Sequence, residues 1–125
     1  LFVQGESRFR IRQLDDSRSF LVGLVEPVQE LAIQDDDLAR DLMLQAREEF
    51  EVLVQRLFER QEFDVQVVFP SDPVVLSFTI ANLLSMENIQ KQQLLETTDT
   101  LERVQALLPI LREHISEVNQ PSYFR

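Results

Sequence analysis

The chain has no cysteine, two glycines, one histidine and one lysine, and each shortage removes a class of chemistry. Without cysteine there are no disulfides and no thiol nucleophile or thiolate metal ligand, a composition that fits a reducing cytoplasm. With Gly5 and Gly23 as its only glycines, it cannot supply the glycine-rich turn of a phosphate-binding loop. His114 is the single candidate imidazole base, and no nucleophile and acid are spaced around it as a triad needs. Basic residues are scarce: 12 Lys and Arg face 22 Asp and Glu, for a net charge of −10. That balance argues against a nucleic-acid groove, which needs clustered cations, and against an anionic membrane surface. No apolar run approaches the roughly 18 residues that span a bilayer.

What is present is a globular composition, 44% hydrophobic and 27% charged over 125 residues, enough for one domain with a core. The pattern changes near residue 34. Before it, "LFVQGESRFRIRQL" places Phe9 and Ile11 in alternation with Arg8, Arg10 and Arg12, which predicts a strand with an apolar face and a guanidinium face. That arginine row reads as a solvated outer face, or as a pairing surface for acidic clients. A strand at Leu1 to Val3 and another through "FLVGLVEPV" bring the expected total to about three, with Pro27 confined to a strand end or edge. Three short strands cannot close a sheet. The opening at Leu1 in strand-like sequence therefore reads as the interior of a longer chain.

From residue 35 onward the pattern is helical, with about four helices expected. Asp35 to Asp37 reads as a helix cap. The run lacks the alternating oxygens, turn glycine and distal glutamate of a calcium loop. Ala39, Leu42, Met43, Ala46, Phe50, Leu53, Val54 and Leu57 then mark the inner face of a long amphipathic helix, with Glu48, Glu49 and Glu51 on its wet side. Ser71 or Asp72 caps a second helix, with Pro73 at its first position. "VVLSFTIANLLSM" is apolar nearly all round and predicts a helix in the middle of a bundle. "ENIQKQQLLE" predicts a short helix with a Glu87–Lys91 pair. Asp99, with Glu102 three residues on, resembles a capping box. It opens a last helix whose Leu101, Val104, Leu108, Leu111, Ile115 and Val118 form a narrow seam against one neighbour. Pro109 should kink that helix. Apolar residues outside these stripes, Val67 and Phe69 in a linker and Tyr123 and Phe124 near the end, read as core plugs or as client or partner contacts.

Three spaced sets of residues carry a family resemblance. The first is Val3, Gly5, Arg8, Phe9 and Ile11. The second is Leu76, Ile80, Ala81, Leu83 and Leu84. The third and most specific is Lys91, Gln92, Leu94, Leu95, Glu96, Asp99 and Arg103, with Val104 where leucine is usual. In order and spacing they resemble the C-terminal part of the Lon protease substrate-binding (LON) domain family. The resemblance implies an α+β fold: the end of a PUA-like pseudo-barrel in residues 1–34, then a helical bundle in residues 35–125. It implies a non-enzymatic module that holds unfolded or tagged protein clients for ATP-dependent proteolysis. No cofactor, metal or catalytic residue is expected. The Pro109 break and the "NQPSYFR" end favour a stand-alone LON-domain protein of the kind found in bacteria. Two further expectations accompany this reading: self-association through exposed strand edges, and, as the alternative function, an adaptor that grips one folded partner through the seam helix and Tyr123/Phe124.

Overall fold

The computed structural model describes residues 3, 5–59 and 68–118. Two antiparallel strands, β1 (Phe9–Asp15) and β2 (Val22–Pro27), are followed by four helices, α1 (Asp36–Phe58), α2 (Pro73–Leu83), α3 (Asn88–Glu96) and α4 (Thr100–Val118). The expected α+β class and helix count hold. The expected third strand does not appear among the described residues. Val3 lies outside any strand, and Leu1 and Phe2 fall outside the described set. Among the described residues the sheet has two strands, so the end of a PUA-like pseudo-barrel is not established there.

The hairpin departs from strict alternation at one position. Ile11 pairs with Val25 and Gln13 with Leu24, so Arg12 is the extra residue of a bulge. A bulge sets two residues opposite one and twists the strand locally. Arg10 lies directly across from Glu26, and the bulge brings Arg12 to the same carboxylate. Pro27 closes β2 at its last residue, where a missing N–H costs no ladder bond. Leu14, Leu24 and Phe20 remain exposed, so the hairpin contributes little to the core.

The core belongs to the helices. Asp35 starts α1 by accepting from Leu38 N at 3.0 Å, and Asp72 starts α2 through Val74 N at 3.1 Å. Along α1, Ala39, Leu42, Met43, Ala46, Phe50 and Leu53 are buried, the face the sequence predicts. α2 is less central than its composition suggests. It buries Leu76, Ser77, Ile80 and Ala81 but leaves Val75 and Leu83 in solvent, because it has neighbours on one side only.

α4 departs in the opposite sense. It buries Thr100, Arg103 and Leu107 as well as Val104, Leu108, Leu111 and Val118, because it packs against both α1 and α2. The narrow single-neighbour seam is therefore corrected to a broad central face. α4 also runs through Pro109 as one helix. Pro109 is exposed, so the carbonyl it leaves without a donor can turn to water. Glu49 is not on the wet side of α1. It accepts from Arg112 Nε at 3.0 Å and ties α1 to α4.

Candidate functional site

The two motif arginines meet, although 95 positions separate them in the chain. Arg103 projects from the first turns of α4 with a side chain that is 0% exposed. A guanidinium without water must find acceptors for its N–H groups. It finds the Ser77 hydroxyl at 3.0 Å, the Leu94 carbonyl at 3.4 Å and the Thr97 carbonyl. Its Nη2 also donates to both Glu30 carboxylate oxygens, at 2.7 and 2.9 Å. Ser77 can accept because its own proton goes to Val74 O at 2.7 Å.

Arg8, one residue before β1, comes to the same carboxylate from the hairpin side. Its Nη1 donates to the carbonyls of Leu95, at 2.9 Å, and Thr97, at 3.1 Å. Thr100 donates to Glu30 at 2.6 Å. Phe78 completes the cluster. Its ring centroid lies 4.0 Å from the Arg103 guanidinium carbon and 5.0 Å from that of Arg8, a cation–π arrangement. The linker after β2 adds a backbone bond from Leu31 N to Thr98 O at 2.9 Å. The Glu30 carboxylate and its two arginines thus join the hairpin, α2, the α3–α4 turn and α4.

The electrostatics follow from burial. Burial works against the charge on Glu30, but hydrogen bonds from Thr100, Arg103 and Arg8 outweigh it and hold the carboxyl below its ordinary value of 4.5. Burial pushes the Arg103 guanidinium down from its ordinary value, against the opposite pull of Glu30. Both groups are charged near neutrality. The outer pair differs: Glu26 and Arg12 lie about half in solvent, Glu26 is lowered and Arg12 raised by their mutual hydrogen bond, and water screens the contact. Arg10 and Arg12 thus stay on a solvated strand face, as the sequence suggests, whereas Arg8 does not. Arg8 is taken up by Glu30, and Arg10 and Arg12 by Glu26.

Next to this joint an open cavity of about 400 Å³ lies between α2 and α3. Phe78, Ala81, Leu94 and Leu95 give it apolar walls, and Asn82, Asn88, Lys91 and Gln92 give it polar ones. The motif positions Lys91, Gln92, Leu94 and Leu95 thus fall on one concave surface. Leu94 also reaches the core, whereas Leu95 is about half exposed. The expected Glu87–Lys91 pair is not formed. Glu87 is the residue before α3, and its N–H donates to Gln90 Oε1 at 3.1 Å. Among the described residues Lys91 has no carboxylate partner.

The other sequence candidates separate cleanly. Asp99 caps α4, accepting from Leu101 N at 2.9 Å and Glu102 N at 3.3 Å. Gly5, Phe9 and Glu96 are exposed. Phe69 packs edge-on against Phe50, with centroids 5.8 Å apart, and acts as a core plug. Val67, Tyr123 and Phe124 lie outside the described residues. His114 bonds Ile110 O at 2.8 Å and borders a shallow polar groove with Glu113 and Glu117. No cluster of metal-binding side chains occurs among the described residues. No helix there is long and apolar enough to cross a membrane.

Sequence reading missed Glu30, Ser77, Phe78 and Thr100. A signal for Glu30 existed: it is the one acid in the run between the hairpin and the Asp35 cap, with Leu31 and Ala32 directly after it.

The family model for the ATP-dependent protease La (LON) substrate-binding domain matches residues 1–113. The chain belongs to the LON substrate-binding domain family. This LON domain is also 31% identical over 105 residues to a Lon protease of Desulfovibrio desulfuricans. The alignment covers 83% of the chain and 12% of that protease. The Arg8–Glu30–Arg103 joint and the α2–α3 cavity both lie within the matched part of the LON domain.

Proposed function

We propose that this LON domain is a non-enzymatic recognition module that binds unfolded or tagged protein clients in the cytoplasm and holds them for ATP-dependent proteolysis. Membership in a substrate-binding family carries the reading. Two features support it. The hairpin presents Phe9, Ile11, Leu14, Phe20, Leu24 and Val25 to solvent, an apolar area of the kind that marks a contact surface. The α2–α3 cavity adds a concave site beside it. The net charge of −10 keeps a loaded complex soluble and favours basic or neutral clients.

The alternative, an adaptor for one folded partner, is less favoured: four of the α4 seam residues assigned to that contact, Val104, Leu108, Leu111 and Val118, are buried, while Tyr123 and Phe124 lie outside the described residues. β1 and β2 each have one partner in a two-stranded sheet, so self-association through the outer edges accompanies the proposal. Light scattering across a concentration series reads it.

The functional test is aggregation of a heat-unfolded protein with the LON domain added at equal molar ratio. Suppression, together with retention of a permanently unfolded protein on the immobilised domain, is the expected outcome. Failure of both refutes the proposal.

A further inference from the structure

We infer that the cavity between α2 and α3 binds the C-terminal residue of an unfolded polypeptide, with an apolar side chain inward and the free carboxylate against Lys91. The inference rests on the client-binding function proposed above and names the feature of the client that is read.

Charge is the first argument. Lys91 is the only lysine of a chain at −10, and it stands on the cavity wall with no carboxylate partner among the described residues. Most of this surface repels an anion, whereas this rim offers one an unpaired ammonium. The side-chain amides of Asn82, Asn88 and Gln92 add N–H donors for carboxylate oxygens and carbonyls for a peptide N–H.

Shape is the second argument. About 400 Å³ falls within the range of roughly 300–1,000 Å³ for small-ligand sites, room for one residue and its end group. A terminal apolar residue carries its side chain and its carboxylate on the same Cα, so both reach one compact site. In an extended segment, neighbouring side chains point to opposite faces, and same-face neighbours lie about 6.6 Å apart. An internal acid beside an apolar residue therefore fits a long groove, and this cavity is short.

Rigidity is the third. The Leu94 and Leu95 carbonyls on the α3 wall accept from Arg103 and Arg8, and Phe78 on the α2 wall lies against both guanidinia. The walls are fixed before a ligand arrives, which lowers the ordering cost of binding.

The test uses the 125-residue chain and fluorescence anisotropy with short unstructured peptides. Three peptides share a sequence ending in leucine: a free acid, an amide, and an amide with an internal aspartate. The free acid is expected to bind about tenfold more tightly than either amide. Lys91→Glu should erase that difference, and Asn82→Trp, at an exposed position, should block all three peptides. Circular dichroism checks that both variants fold. Equal binding of acid and amide, survival of the preference in Lys91→Glu, or rescue by the internal aspartate overturns the assignment. A parallel titration with a permanently unfolded protein separates the two levels. Binding without an end preference removes this site and leaves the proposed function, whereas no binding at all removes both.

Discussion

Replacing Glu30 by glutamine preserves its size and removes the charge shared by two arginines. Glu30 accepts from Arg8, Thr100 and, at both oxygens, Arg103. Hydrogen bonds to charged groups contribute about 1.5–3 kcal/mol each, but bonds to one carboxylate are not additive. Removing one member of a buried ion pair costs about 3–5 kcal/mol, because the other charge stays buried. Arg103 is 0% exposed and meets that condition, whereas Glu30 is 18% exposed and water takes up part of the loss. The expected destabilisation is about 2–3 kcal/mol. With a urea slope of about 1–3 kcal/mol/M, the unfolding midpoint should fall by roughly 0.7–3 M. Equilibrium unfolding followed by circular dichroism measures it. Pairing Glu30→Gln with Arg103→Met should recover part of the loss, since no buried guanidinium is then left without its carboxylate. A Glu30→Gln midpoint indistinguishable from wild type would refute the view that this carboxylate is structural.

Three other perturbations follow from the same geometry. Glu30 is held below 4.5, so its stabilising effect is full above that value and is lost as pH falls through the lower folded value. Urea midpoints of wild type and Glu30→Gln should therefore converge on acidification from pH 7. Asp99→Ala removes the α4 cap and should cost about 1 kcal/mol in urea unfolding. Leu111→Ala, at a fully buried position of α4, should cost about 2–5 kcal/mol and lower the thermal midpoint.

Helix starts were legible because they are local. Asp35, Asp72 and Asp99 each sit two or three residues before the N–H they accept from. The inner face of α1 was legible for the same reason, since a 3.6-residue period records one packing direction. α4 was read too narrowly because periodicity does not count neighbours, and a second partner buries residues off the stripe. α2 was read as too central because apolar composition does not say which sides are covered. The bulge at Arg12 was missed, since one inserted residue leaves little trace in an alternating pattern. The family motif located Arg8, Lys91 and Arg103 but not what they do. Their roles depend on Glu30 and Phe78, which come from other parts of the chain, and pairings across 22 to 73 positions are set by the fold.

The joint at Glu30 also bears on the order of events in folding. Its partners span nearly the whole described chain, so the cluster can be completed only once hairpin and bundle have come together. Contacts of such sequence separation carry the largest loop-closure cost and reward it late. α1 and α4 can assemble without it, because their shared face is apolar and does not involve the carboxylate. Breaking the joint should therefore leave the refolding rate nearly unchanged and speed unfolding, as expected for a contact absent from the transition state. The arginine–glutamate cluster then acts as a closing latch that sets how long the assembled domain persists.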